Sequence, residues 1–244
     1  MKYGLPYMGS KSTIAKQIID ILPLGKRFID LFGGGAAMSH AAAFSGKYEE
    51  ILYFDIDPLA VEYVRRALSG YYSPENFTPW WVSREDFNHL KDIDPYVRYL
   101  WSFGNNPEKG YLFGRDIENE KKQAFCRKVS CEPLERFARV QSLEGLKLHI
   151  FLQSYTKYRY QKGDVVYCDP PYNFASGYSV EFDFANFLDW AVQVPCYVSS
   201  YFIADSRFRL YYEFKKIALM RQASKKGTVI ERIYCSQYAA KEVI

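Results

Sequence analysis

The chain has 244 residues, of which 48% are apolar and 25% charged, a composition typical of a globular protein with one sizeable core. Its net charge of +4 permits a polyanionic partner without requiring one. We see no signal peptide, no long apolar stretch and no Cys or His spacing typical of a metal site, so we expect a cytoplasmic protein without a metal and with its five cysteines reduced.

The first predicted element is a glycine-containing loop, Tyr7 to Lys11, which leads into a helix from about Ser12. Apolar residues recur there at helical spacing, and Pro23 ends the run. Lys11 is either a solvated surface lysine or, because it precedes a helix, a contact to a carboxylate or phosphate.

A predicted strand, Arg27 to Phe32, runs into Gly33-Gly34-Gly35 and an alanine-rich helix from about Ala36 to Ser45. Strand, glycine turn and small-residue helix form the first unit of a Rossmann-like sheet. The glycine spacing is not that of a dinucleotide site, so a nicotinamide oxidoreductase is the weakest functional hypothesis.

The second predicted strand, Glu50 to Asp55, ends in an acidic residue. A carboxylate there can accept hydrogen bonds from both hydroxyls of a ribose, so Asp55 indicates a nucleoside ligand. Asp57 precedes Pro58 and is predicted to cap the next helix.

From residue 69 to residue 149 the periodicity weakens, and we interpret this stretch as an inserted, mainly helical or loop lobe. The flanking segments, 1–68 and 150–244, would form the main domain. Basic residues of the insert are candidate nucleic-acid contacts, although intervening glutamates make a solvated helix face the alternative. These candidates are Arg115, Lys121, Lys122 and Arg127.

A buried strand, Val165 to Cys168, is predicted to stop at Asp169, because Pro170 and Pro171 cannot continue a sheet ladder. This leaves a carboxylate, free carbonyls and the ring of Tyr172 at the carboxyl end of a strand, where ligands bind in open α/β sheets. Such acceptors and a flat ring suit an amino group on a planar base.

The last predicted elements are a helix over 184–194, a strand over 196–201 and a hairpin of two strands, 211–220 and 228–238, around Ser224 to Gly227. Strands that alternate with helices and then close with a hairpin predict a mixed, mostly parallel sheet.

The chain resembles the Dam-type DNA adenine-N6 methyltransferases of bacteria and phages. The resemblance lies in Tyr7 to Lys11, Phe28 to Gly35, Phe54 to Asp57, Ser154-Tyr155 and Val165 to Tyr172, in the family's order. It implies a Rossmann-like S-adenosylmethionine methyltransferase sheet with an inserted recognition lobe. It also implies that the substrate is double-stranded DNA and that neither a membrane nor a metal is involved. The protein would act on DNA as a monomer, and whether it has a partner nuclease is left open.

The resemblance also implies roles for single residues. Tyr7 and Lys11 would contact the methionine end of the cofactor, Asp55 its ribose and Tyr155 its adenine ring. Further cofactor contacts are implied for Asp30, Phe32, Gly33, Gly35, Ile56 and Asp169. The family's usual acid soon after the adenine-contacting aromatic is replaced here by Lys157.

The catalytic hypothesis follows from Asp169, Pro170 and Tyr172. Tyr172 would stack on a flipped-out base, while the Asp169 carboxylate and the Pro170 carbonyl accept the two N6 hydrogens and expose the nitrogen lone pair. Aspartate at this position favours adenine. Cytosine N4, an RNA base, a protein glutamine amide and a catalytically silent nucleic-acid-binding protein remain the alternatives.

The target sequence is left open by the middle lobe. Family members that methylate GATC usually carry Arg-x-Asn before Phe-Gly-Arg. Here Phe113-Gly114-Arg115 is present, but the preceding segment, Gly104 to Gly110, has no arginine. Because arginine is the usual bidentate reader of guanine, a different or relaxed target is the hypothesis.

Overall fold

In the computed structural model the described residues are 2–123, 131–171, 182–218 and 227–239. Seven strands in these ranges form one sheet in the order β3-β2-β1-β4-β5-β7-β6. The strands are β1 (Arg27–Asp30), β2 (Glu50–Asp55), β3 (Lys147–Leu152), β4 (Asp164–Cys168), β5 (Cys196–Ser200), β6 (Phe208–Ala218) and β7 (Gly227–Ser236). Five neighbouring strands, β3, β2, β1, β4 and β5, are parallel to one another. Strand β7 runs antiparallel to both β5 and β6. This confirms the predicted mixed, mostly parallel sheet.

Helices cover the sheet, and five of those in the described ranges lie in the segment between β2 and β3. They are α1 (Ala15–Ile21), α2 (Ala37–Ala43), α3 (Pro58–Leu68), α4 (Arg84–Leu90), α5 (Pro95–Leu100), α6 (Glu118–Gln123), α7 (Glu132–Ala138) and α8 (Phe184–Ala191). None of the helices in the described ranges is long and apolar enough to span a bilayer.

The central strands are buried on both faces, which is the pattern expected of parallel strands flanked by helices. On one face Phe28 and Tyr167 pack with α1 and α2, and on the other Ile29 and Val166 pack with α8. Four cysteines in the described residues are buried: Cys131, Cys168, Cys196 and Cys235.

A third apolar cluster lies between α3 and the helices that follow it. It is rich in fully buried rings, among them Tyr63, Tyr96 and Trp101. These helices and loops make up most of the predicted insert, although the predicted boundary at residue 149 falls inside β3. The division into two domains stays a prediction.

Local sequence signals explain where two of the elements near the site begin and end. The Asp57 carboxylate accepts a hydrogen bond from Leu59 N at 2.9 Å, and Pro58 occupies the first turn of α3, as predicted. Strand β4 ends at Cys168, directly before Asp169 and the two prolines.

Candidate functional site

A cavity of about 700 Å³ opens at the carboxyl ends of β1, β2 and β4. Strands β2 and β4 flank β1 on opposite sides, so the chain's winding direction reverses here, the place where open α/β sheets bind ligands. The volume lies in the range of small-molecule and cofactor sites. Most of the predicted site residues that the structure describes line this cavity, namely Tyr7, Lys11, Asp30, Phe32, Gly33, Gly35, Asp55, Ile56, Tyr155, Asp169 and Pro170.

The glycine turn and the end of β2 are joined through Asp55. One oxygen of its carboxylate accepts a hydrogen bond from Gly34 N and the other from Asp57 N, each at 2.8 Å. Gly34 has a φ of 47°, a conformation that side chains other than glycine disfavour. Burial raises the pKa of Asp55 to about 6. A carboxylate has about four acceptor sites on its two oxygens, so Asp55 can still accept a hydrogen bond from a diol.

Asp30 lies deeper, at the end of β1, and is 1% exposed. Its Oδ2 accepts hydrogen bonds from Ser39 N at 3.1 Å and Ser39 Oγ at 2.7 Å. Burial raises its pKa to about 7, although both bonds from Ser39 lower it. Asp30 therefore ties the first turns of α2 to β1 and also lines the cavity.

Lys11 is a buried ammonium in the cavity, 4% exposed. Its Nζ donates to Asp169 Oδ1 at 2.7 Å and to Asp169 Oδ2 at 2.8 Å, and lies 3.7 Å from Glu231 Oε1. Burial lowers the pKa of this ammonium, but the two carboxylates outweigh it and raise the pKa above the usual value. The sequence left open whether Lys11 is a solvated surface lysine or contacts a carboxylate or phosphate. In the structure its ammonium contacts carboxylates of its own chain.

Aromatic rings form two walls of the cavity. The Phe32 ring lies 5.3 Å from that of Tyr155 and 5.6 Å from that of Phe182, measured between centroids. Across the glycine turn, the Tyr7 ring packs 5.1 Å from that of Tyr99. These flat apolar surfaces suit the faces of a purine.

Several lining residues were missed by sequence reasoning. Glu231 comes from β7, Tyr99 from α5, and Phe182 and Asp183 precede α8. Burial raises the pKa of Tyr155, and the nearby Asp183 carboxylate adds to this shift. An acid therefore stands close to Tyr155 even though position 157 is a lysine. A buried glutamate in a strand and a capping aspartate before a helix gave no local signal of a site.

Of the basic residues predicted as nucleic-acid contacts, Arg115, Lys121 and Lys122 do not line this cavity. Arg115 and Lys122 are exposed, and Lys121 pairs with Glu120 at 3.2 Å. Instead Arg98, Asn105 and Lys109 line the cavity from the insert. Arg127, Tyr172 and the centre of the predicted hairpin turn lie outside the described residues. No three acidic, His or Cys side chains in the described ranges are grouped as a metal site.

The doubly wound sheet, the glycine turn and the Asp-Pro-Pro end of β4 define a Rossmann-like α/β protein with a ligand cavity at its switch point. A family model described as D12 class N6 adenine-specific DNA methyltransferase matches residues 7–141, so the chain belongs to that family. The matched range covers the glycine loop, the glycine turn, Asp55 and most of the insert. It ends before Asp169, so the Asp-Pro-Pro motif is an independent observation.

Solved structures show distant similarity. A candidate methylase from Haemophilus influenzae is 14% identical over 93% of this chain and 95% of its own, with a TM-score of 0.37. A candidate methyltransferase from Escherichia coli is 10% identical over 97% and 92%, with a TM-score of 0.41. An rRNA methyltransferase from Streptomyces viridochromogenes is 12% identical over 94% and 84%, with a TM-score of 0.43. No curated protein matched the chain.

Proposed function

We propose that the protein transfers a methyl group from S-adenosylmethionine to N6 of an adenine that is flipped out of double-stranded DNA. The observation that carries the proposal is one shared cavity, in which Asp169 and Pro170 face the same space as Asp55 and the glycine turn. A nucleoside-binding half and an amine-binding half are thereby in reach of each other. Proximity of two bound reactants is a large part of the catalysis of such a transfer.

The cavity residues fit the cofactor. Its sulfonium makes it a methyl donor with a positive charge, and Asp55, Asp169 and Glu231 supply negative charge around the space. Asp55 would accept from the ribose hydroxyls, and Phe32 and Tyr155 would flank the adenine ring. Gly33 and Gly35 let the turn pack tightly on its own chain, because an added Cβ would lie 2.0 Å from Tyr53 Cε2 at Gly33 and 2.5 Å from Tyr7 Cβ at Gly35. The backbone of this turn would face the methionine end.

The proposed chemistry depends on Asp169 and Pro170. The carboxylate and the carbonyl would each accept one N6 hydrogen of the target base, so the nitrogen lone pair leaves conjugation with the ring. Attack on the methyl carbon forms the N–C bond as the S–C bond breaks, and positive charge passes from sulfur to nitrogen. The Asp169 carboxylate stabilises that charge where it develops, and N6 then releases one proton to solvent.

The proposal also includes how the protein recognises DNA. Tyr172 would stack on the extruded base, which is worth about 1–3 kcal/mol. Surface cations such as Arg115 and Lys122 would contact phosphates. The segment before Phe113 lacks the arginine of GATC-specific relatives, so we propose a different or relaxed target sequence. A monomer would suffice on DNA, in the cytoplasm, with or without a partner nuclease.

The deciding experiment is to incubate unmethylated plasmid with purified protein and S-adenosylmethionine, and then to sequence the DNA with modified bases called at each position. We expect N6-methyladenine in a recurring context. Nucleoside analysis of the digested product separates adenine N6 from cytosine N4, and parallel RNA and protein substrates test the other amines.

The test variant is Asp169→Ala, which should transfer methyl groups about a hundred- to a thousandfold more slowly, in line with the loss of a preorganised charge-stabilising group. Its affinity for the cofactor should fall much less than its rate. Transfer at the wild-type rate by that variant would remove the mechanism. If the wild-type protein bound the cofactor but transferred no methyl group to any nucleic acid, the result would instead favour a catalytically silent nucleic-acid-binding protein.

A further inference from the structure

Glu231 is a buried acid in the cavity wall, 2% exposed, on the antiparallel strand β7. A buried carboxylate is costly unless it is paired and hydrogen-bonded. Its Oε1 lies 3.7 Å from Lys11 Nζ, the same ammonium that contacts both oxygens of Asp169 at 2.7 Å and 2.8 Å. Three groups from distant parts of the chain therefore form one carboxylate–ammonium–carboxylate cluster.

The net charge of this cluster determines the electrostatic environment of the bound substrate. Lys11 and Asp169 alone would be a neutral pair, and a cation within hydrogen-bonding distance of both carboxylate oxygens weakens them as acceptors for another positive group. The second carboxylate of Glu231 gives the cluster one net negative charge. In a buried site such a charge acts over several ångströms with little screening.

We propose that Glu231 is a positioning residue for methyl transfer, which holds and offsets the Lys11 ammonium so that Asp169 remains an effective acceptor for the target amine. The inference rests on the proposed function and deepens it. Positive charge appears on the attacking nitrogen during transfer, so the negative charge matters more in the transition state than in the bound reactants.

The first test is Glu231→Gln, which keeps the side-chain size and removes the charge. We expect kcat to fall by about ten- to a hundredfold, while the KM for S-adenosylmethionine changes less than about threefold. Glu231→Asp should recover part of kcat. Glu213→Gln is the charge-matched control, because Glu213 is an exposed glutamate on β6 that pairs with Arg232 at 2.6 Å and should leave kcat unchanged.

The pH profile of kcat adds a readout that a purely structural role would not move. Asp169 and Glu231 both raise the pKa of Lys11. The Lys11 ammonium also holds the Asp169 carboxylate in place through two hydrogen bonds, so the rate should decline when that ammonium loses its proton. Loss of the Glu231 charge should move this alkaline decline to a lower pH than in the wild type. An unchanged profile together with an unchanged kcat would overturn the positioning role.

A thermal-unfolding cycle tests the coupling without any activity. Lys11→Met leaves the Asp169 and Glu231 carboxylates without their shared cation, so it should lower Tm more than the double variant Lys11→Met/Glu231→Gln does. Additive changes in Tm would show that Glu231 does not act on Lys11. If the wild-type protein methylated no DNA, the proposed function would fail, while this cycle would still support or overturn the coupling.

Discussion

Gly33 is the position in the glycine turn where one added carbon should be most damaging. A Cβ on Gly33 would lie 2.0 Å from Tyr53 Cε2 and 2.2 Å from Tyr53 Cδ2, whereas ordinary contacts begin at 3.4 Å. The Tyr53 ring is fully buried, and its Oη donates to Gly34 O at 2.8 Å. The ring would have to move by about 1.4 Å, away from the turn that it supports.

The magnitude follows from two contributions. Overpacking in a well-packed core costs about 1–3 kcal/mol, and loss of the Tyr53 hydrogen bond adds about 1 kcal/mol. We therefore expect Gly33→Ala to lower the free energy of unfolding by about 2–4 kcal/mol. Because the turn carries the proposed cofactor contacts, affinity for S-adenosylmethionine should fall as well.

Urea unfolding and isothermal titration calorimetry measure these two effects. Gly114→Ala is the matched control, since an added Cβ there meets no heavy atom within 4 Å and its φ is −65°. That variant should stay within about 0.5 kcal/mol of the wild type. In a Tyr53→Leu background Gly33→Ala should cost much less. Equal stability of Gly33→Ala and the wild type would refute the steric reasoning.

Three further predictions use other carboxylates. Asp164 accepts from Arg27 with both carboxylate oxygens, at 2.6 Å and 2.7 Å, and Asp164→Asn removes the charge and one of these two acceptors. The variant should cost about 3 kcal/mol in urea unfolding without changing cofactor affinity, because the pair lies at the opposite end of the strands from the cavity. Asp55→Asn turns an amide donor toward a backbone N–H and should weaken cofactor binding at least about tenfold in calorimetry. The pKa of Asp30 is raised from 3.8 to about 7, so the folded state holds the extra proton and the free energy of unfolding should fall as pH rises from about 4 to 7 and then level off. Asp30→Asn should flatten that slope, as urea unfolding at a series of pH values would show.

The sheet could be predicted wherever a strand is buried on both faces and ends at a strong local signal. The apolar run before Asp169 and the acid at the end of β2 are such cases. Strand β3 was missed because it is an edge strand, with exposed or half-buried side chains that alternate weakly from Lys147 to Leu152. Its pairing with β2 is set by tertiary contacts, which a short alternating run does not reveal.

The candidate site was predictable to the extent that its residues follow parallel strands, because the carboxyl ends of such strands share one edge. Asp55, Asp169 and the glycine turn come together for this reason. Glu231 could not be found in this way. Its place beside Lys11 depends on β7 lying antiparallel between β5 and β6, an order that depends on long-range pairing.

In the proposed reaction the acidic cavity and the exposed cations of the insert would contact different parts of the DNA. DNA is a polyanion, and an acid-lined cavity would repel its phosphates if they had to enter. Only the neutral base and the cationic cofactor need to enter, and both are favoured by Asp55, Asp169 and Glu231. The phosphates can stay outside, where exposed cations such as Arg115 and Lys122 lie on the insert. Base flipping would therefore allow an acidic cavity, which repels phosphates, to act on a single base. The flipped base carries its amine into the cavity while the phosphates of its strand stay outside.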